Sequence, residues 1–391
     1  MVSSDQEPQL YHRIYEPPRQ SFFLFGPRGV GKSTWAKQQF PQALRIDLLD
    51  EALYQSYLVD PELFASEIRT VSPREWVIVD EIQRIPSLLN QVHRFIEDKR
   101  LRFVLLGSSA RKLKSSGTNL LAGRALKRIM YPLLPEELGS DFSLEEVLAF
   151  GSLPVITQAE SKPEALRAYV ELYMKEEIRA EAMVRNLAGF ARFLPIAALF
   201  HAQVINTATL ARDAGVARTT VNGYIEILED TLLTYRLPAF EGRLRVRERK
   251  HPKLYWIDPG LVRAIKKQTG RVAIEERGAL LEGWVATLLR AYGEIHGMFD
   301  AMYYWAPAES RQTKVDFVLN RGSDFIAIEV KSGTKVSNQA LSGLRAVKDL
   351  PRMVRRILLY GGRRELKSED GVEICPVDHF LEALASDRLW P

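Results

Sequence analysis

Gly26, Pro27, Arg28, Gly29, Val30, Gly31, Lys32 and Ser33 fill every fixed position of the pattern G-x-x-x-x-G-K-[ST], directly after the apolar run Phe22 to Phe25. Each residue type has a chemical reason to be there. Glycines free the backbone to wrap its N–H groups around phosphate oxygens, and the Lys32 ammonium can reach the β and γ phosphates. The Ser33 hydroxyl, followed by Thr34, stands at a helix N-terminus where it can ligate Mg²⁺. The pattern predicts a nucleoside triphosphate site, with ATP and Mg²⁺ as the expected cofactors. Further on, Trp76 to Glu81 forms an apolar strand that ends in two carboxylates, which puts acids at the carboxyl edge of a sheet beside the loop. Asp80 is expected to hold the Mg²⁺ shell, and Glu81 to orient or deprotonate the attacking water. The plainer reading of the same pair is a polar strand end leading into Ile85-Pro86. A third strand, Arg102 to Leu106, runs into Gly107-Ser108-Ser109, where the Ser108 hydroxyl is suited to sensing the γ-phosphate.

Those residues need a scaffold, and the patterning supplies one. Strand-like runs at Phe22 to Phe25, Leu44 to Leu48, Trp76 to Val79 and Phe103 to Leu106 alternate with polar helical stretches, the signature of an α/β domain with a parallel sheet. We assign it residues 1–140. Residues 141–200 turn to helical periodicity, with Leu166, Tyr169, Val170 and Tyr173 spaced for one apolar stripe, and read as a lid or linker.

Residues 201–258 read as a winged helix. The stretch Asn206 to Ile225 spells two helices joined by a turn at Gly215, with Leu210, Ala214, Val216, Val221, Ile225 and Leu228 where the helices must pack. Arg218, Thr219, Thr220 and Asn222 lie near the start of the second helix, where a recognition helix presents side chains to a DNA groove. Downstream, Arg243, Arg245, Arg247 and Arg249 alternate with period two, so a β-strand would project four guanidinium groups from one face towards a phosphate backbone. Winged helices also serve as protein-binding modules, and charged residues guard edge strands.

Residues 259–391 return to α/β patterning. Lys314 to Leu319 and Phe325 to Lys331 read as strands joined by a turn, bringing Asp316, Glu329 and Lys331 to one sheet edge. Two carboxylates can bind a divalent metal that activates water, while an ammonium stabilises developing charge on a phosphodiester. The arrangement resembles the PD-(D/E)XK nuclease core, with Val315 in place of the proline, and Glu282 on the helix Leu280 to Leu289 matches the acid many such nucleases carry. The same groups would equally make an ordinary surface ion pair.

The order of parts resembles a prokaryotic family of AAA+ ATPases, on the strength of the phosphate loop, Asp80-Glu81-Ile82-Gln83, Leu121-Ala122-Gly123-Arg124, Gly151-Ser152-Leu153-Pro154 and Leu281-Glu282-Gly283. The resemblance implies that Ser108 stands at the sensor-1 position, that Arg124 acts on a neighbouring subunit's nucleotide, and that the chain assembles into a ring, of which a hexamer is one form. It leaves the substrate undefined. The first reading is an ATP-driven motor or switch on DNA, branched DNA included. The second is a metal-dependent nuclease licensed by ATP, and the third a nucleotide-switched signalling ATPase that binds protein.

The bulk properties fit all three. The chain of 391 residues is long enough for several domains with their own cores. One cysteine, Cys375, excludes an intrachain disulfide and suits a reducing compartment. No apolar run reaches membrane-spanning length and the polar start lacks a secretory pattern, so a soluble, cytoplasmic protein is expected. A net charge of +5 permits contact with nucleic acid without requiring it.

Overall fold

The computed structural model describes residues 10–109, 121, 123–173, 187–241, 248–308 and 313–391. The first domain is built on strands β1 (Phe22–Phe25), β2 (Leu44–Asp47), β3 (Trp76–Asp80), β4 (Arg102–Gly107) and β5 (Leu126–Ile129). They pair in the order β2-β3-β4-β1-β5, all parallel. Such a sheet is covered on both faces, which is why its central strands are apolar throughout instead of alternating. The pleat still sorts them. Phe22, Leu24, Val104 and Leu106 face a large core shared with the rest of the chain. Phe23, Phe25, Val77, Val79, Phe103 and Leu105 face a smaller core closed by the helices Glu51–Val59, Pro61–Arg69 and Leu88–Lys99. The edge strand β5, Leu-Lys-Arg-Ile, carries too little apolar patterning to be read as a strand from sequence.

Helices Leu144–Phe150, Pro154–Thr157 and Lys162–Ala168 follow, with a turn of π-helix at Tyr169–Tyr173 and a further helix at Leu187–Leu199. Leu166 and Tyr169 are buried as the stripe predicts. The helix-turn-helix forms from Thr207–Ala214 and Arg218–Asp230, with Asn206 capping the first helix and Gly215 in the left-handed region at φ 64°. Leu210, Ala214, Val221, Ile225 and Leu228 are buried between them. Three short strands complete this region: β6 (Gln203–Val204), β7 (Thr234–Leu237) and β8 (Lys253–Trp256), with β8 in the middle and antiparallel to both.

After β8 the helix Pro259–Ile265 turns back onto the helical segment, where the buried Arg263 guanidinium donates to the carbonyls of Ala149 and Gly270. The helix Ile274–His296 then opens the last domain, 23 residues long against the ten read from its periodicity, Leu280 to Leu289. It packs on a sheet of β9 (Ala301–Trp305), β10 (Val315–Arg321), β11 (Asp324–Lys331), β12 (Met353–Tyr360), β13 (Leu366–Lys367) and β14 (Glu373–Pro376). Their order is β13-β14-β12-β11-β10-β9, with β9, β10 and β11 an antiparallel meander and β12 and β14 parallel to β11. Among the described residues no helix is long and apolar enough to cross a membrane.

Candidate functional site

β1 delivers the glycine-rich loop to the carboxyl edge of the parallel sheet, between the ends of β4 and β5. Gly29 and Gly31 take φ 74° and 91°, a region costly to side-chain-bearing residues, which is the physical reason for glycine there. Gly29 has a second reason, because an added Cβ would fall 2.6 Å from a Val155 methyl of the helical segment. Lys32 begins the helix Lys32–Gln39 and is buried, its ammonium donating to the carbonyls of Gly26 at 2.7 Å and Pro27 at 3.3 Å. The loop is braced from behind by Arg13, whose buried guanidinium donates to Val30 O at 3.1 Å and to Glu137 at 3.0 Å. Tyr169 holds it from the front through its hydroxyl, which donates to Arg28 O at 2.9 Å.

β3 ends beside this loop, as its sequence predicts. Burial raises the Asp80 carboxyl above its usual range, while a hydrogen bond from Ser33 and the charge of Lys32 pull it down. The pair Ser33 and Asp80 therefore sits together at the helix start, a partly desolvated hydroxyl and carboxylate whose chemistry fits a Mg²⁺ shell. Glu81 takes φ 55° and ψ 41°, left-handed backbone that strains a non-glycine residue by roughly 1–2 kcal/mol. A neighbour fixes its side chain. The Gln83 amide donates both to the Glu81 carboxylate and, at 3.1 Å, to the Ser108 hydroxyl. Gln83 is buried, and a Cβ on Gly107 would fall 2.6 Å from its oxygen, so the glycine at the end of β4 makes room for it. Asp80, Glu81 and Ser108 thus come together as read from sequence. The part of Gln83 was not foreseen, although the residue stands in the stretch Asp80-Glu81-Ile82-Gln83 that helps carry the family resemblance.

Arg124 lies elsewhere. Leu126 pairs with Phe22 at the start of β1, so Arg124 is on the opposite edge of the sheet from its own phosphate loop. It is exposed and ion-paired with Glu97. Arg218, Thr219 and Asn222 are exposed on the second helix of the helix-turn-helix, and Thr220 is half-buried. Arg218 donates to the Thr207 hydroxyl at 3.0 Å. Arg243, Arg245 and Arg247 lie outside the described residues. Arg249 is half-buried, and its backbone N–H donates to Ala306 O at 2.9 Å, tying this position to the last domain.

The acids of the last domain also converge, with Glu282 on the long helix, Asp316 on β10 and Glu329 on β11, all buried. Two lysines that sequence reading passed over stand among them. Lys253, from β8, donates to Glu282 at 2.7 Å and to Asp316 at 2.9 Å. Lys314 donates to the same two acids at 3.1 and 2.6 Å. Tyr255 adds a 2.7 Å bond to Glu282, and Lys331 pairs with Glu329. Burial pushes the Asp316 carboxyl up, but Lys253, Lys314 and Lys331 overcome it and hold the group well below the carboxylate range. Glu329 moves the other way, raised by burial and by the neighbouring Asp316 charge. Lys314 was within reach of sequence reasoning, since two places before Asp316 on a strand is the same face. Lys253 was not, because it arrives from another sheet.

Comparison with known proteins divides the chain in three. Residues 18–139 match the sequence model of the AAA domain, residues 141–271 a domain of unknown function, DUF8612, and residues 277–380 another, DUF4143. With its five-stranded parallel sheet and phosphate loop, the first domain is a P-loop domain of the prokaryotic AAA+ ATPase class. Over the whole chain, uncharacterized proteins of Mycobacterium tuberculosis and Mycobacterium bovis are each 26% identical over 373 residues, 94% of this chain and 82% of theirs. Among solved structures, the ORC2 protein of Aeropyrum pernix with ADPNP and ADP is 16% identical at a TM-score of 0.34, over 64% of this chain and 88% of that one. The ORC1 protein of Aeropyrum pernix in complex with DNA is 13% identical at 0.27, over 64% and 87%. Protein VC1899 of Vibrio cholerae is 13% identical at 0.24, over 95% and 97%. At such scores the likeness to solved structures carries no functional argument.

Proposed function

We propose that the chain hydrolyses ATP in the pocket between the glycine-rich loop and the ends of β3 and β4, and uses the cycle to move its winged helix against DNA. The observation that carries the reading is the convergence there of Lys32, Ser33, Asp80, Glu81, Gln83 and Ser108. Lys32 would exchange the Gly26 and Pro27 carbonyls for β and γ phosphate oxygens. Ser33 and Asp80 would hold Mg²⁺, which supplies neutralisation of phosphate charge. Glu81 takes the proton of a water whose oxygen attacks the γ-phosphorus, and the bond to the bridging oxygen breaks to leave ADP. Gln83 positions Glu81 and links it to Ser108, so that the state of the γ-phosphate and the position of the base are coupled through one amide.

Arg124 cannot serve its own pocket from the far edge of the sheet, so in this reading it completes the pocket of a second copy in a ring. Contact with DNA falls to Arg218, Thr219 and Asn222, with the arginines 243, 245 and 247 adding salt-sensitive affinity. The test is ATP turnover by the wild type and Lys32→Ala with single-stranded, duplex and four-way-junction DNA, at two salt concentrations. We expect turnover to vanish in Lys32→Ala, and DNA to stimulate the wild type most at low salt. Turnover indifferent to every nucleic acid would keep the hydrolysis and replace the DNA motor by a protein-directed switch.

A further inference from the structure

The fold of the last domain invites a divalent metal between Glu282, Asp316 and Glu329, and the residues present do not fit one. A hard cation needs oxygen lone pairs that converge on a common point at roughly 2.0–2.6 Å. Here all the carboxylate oxygens are already taken by donors of the chain. Both Glu282 oxygens accept from lysine, one of them also from Tyr255. One Asp316 oxygen accepts from Lys253 and Lys314, and the other from the Val330 N–H at 3.1 Å. Glu329 accepts from Lys331 and, at 3.2 Å, from the Asp316 N–H. Three carboxylates face three ammoniums, and with the Glu329 carboxyl raised by burial and by Asp316 the cluster carries no excess negative charge for a cation to balance. Among the described residues no group of His, Cys, Asp and Glu side chains is arranged to hold a metal ion.

We propose that Lys253 and Lys314 stand in for the cation, making this centre a metal-free ionic joint that fastens the winged-helix sheet to the last domain. Lys253 cannot swing aside alone. It is 3% exposed, and β8 is held between β6 and β7 with Lys253 in register with Val204 on one side and Leu237 on the other. Strand periodicity puts Tyr255 on the same face, so β8 grips Glu282 with two side chains at once. The Lys253 ammonium also lies 5.4 Å from the centre of the Tyr304 ring on β9, which shields it further from water. Seating a divalent ion would mean expelling the buried Lys253 ammonium and the half-buried Lys314 ammonium or leaving an uncompensated double charge beside them, and both are costly. The joint does not depend on the ATPase reading.

Two measurements on the full chain test it. In the first, Mn²⁺ is titrated into nucleotide-free protein and followed by the electron paramagnetic resonance of the free ion. We expect no stoichiometric uptake by the wild type. One Mn²⁺ bound per chain in both the wild type and Asp80→Asn, which disables the phosphate-loop site, would overturn the proposal. The second is a double-mutant cycle of Lys253→Met, Asp316→Asn and the combined variant, read by denaturant unfolding. Each single change leaves a buried charge short of one of its two partners, and the combined change removes both members of the pair. We expect the loss in the unfolding equilibrium constant from the combined variant to be at least tenfold smaller than the product of the two single losses. Strictly multiplicative losses would show that the groups are not joined. Should either single variant fail to fold, Lys253→Arg, which keeps the charge, takes its place, and the Mn²⁺ titration of the wild type stands by itself.

Discussion

One carboxylate pair closes β3 and another lies on β10 and β11, and the two settings treat them in opposite ways. At the end of β3, Asp80 is half-buried and its carboxyl is raised. Glu81 sits on left-handed backbone with the Gln83 amide steering it. On β10 and β11, Asp316 and Glu329 are wrapped by three ammoniums and two backbone N–H groups. At Asp80 burial outweighs the Lys32 charge, whereas at Asp316 three ammoniums outweigh burial. The same residue types at the same kind of position do opposite jobs, and the surrounding cations decide which.

Neutralising one acid at each place should separate the two jobs. Asp316→Asn is expected to destabilise the fold by about 3–5 kcal/mol, because it leaves the buried Lys253 and the half-buried Lys314 with Glu282 alone to share between them. Denaturant unfolding measures the loss, and ATP turnover per folded molecule should stay as it was. Glu81→Gln should do the reverse, lowering turnover by roughly 10²-fold or more while the unfolding midpoint holds. An enzyme assay on the purified variant decides it, and a Glu81→Gln protein with full turnover would remove Glu81 from the mechanism.

A smaller effect sharpens the contrast between satisfied and unsatisfied buried groups. His201 is fully buried, accepts the Trp256 N–H on Nδ1 at 3.1 Å, and has its imidazole pushed down to about 3, chiefly by burial and further by Lys266. The unfolded chain takes up a proton near pH 6.5 and the folded one only near 3, so His201 favours folding above 6.5 and less so as the pH falls towards 3. His201→Asn keeps an acceptor for Trp256 without the titration. The stability gap between wild type and variant should therefore shrink by about 1 kcal/mol between pH 7 and 5.5, a change that unfolding curves at the two pH values would reveal.

How much of this was legible beforehand follows from where the partners come from. The phosphate loop was legible because its chemistry is local, with glycines, lysine and hydroxyl contiguous and the preceding strand adjacent. Asp80, Glu81 and Ser108 were legible because parallel strands of an α/β sheet end at one edge. The helix-turn-helix was legible from the turn at Gly215 and its apolar spacing. The acids of the last domain come together as read, but the lysine between them was not legible, since Lys253 arrives from 63 residues before Asp316 through a different sheet. Gln83 escaped for a related reason, its role depending on Gly107 one strand away. The edge strand β5 escaped because a half-exposed strand needs little apolar sequence.

The contact between Gly29 and Val155 has a mechanical consequence. Val155 belongs to the helix that begins at Pro154, and the preceding residues are anchored by Asp258, whose carboxylate receives the Ser152 N–H at 2.8 Å and, on the far side, the Leu261 N–H at 3.2 Å. Gly151 lies so close that a Cβ there would fall 1.8 Å from the same carboxylate. A loop that reshapes itself around phosphate must therefore lean on Val155, and the push has a short rigid route, through a buried aspartate, to the helix that follows β8. In the proposed cycle, nucleotide occupancy would bear through this packed backbone on the helix that follows β8.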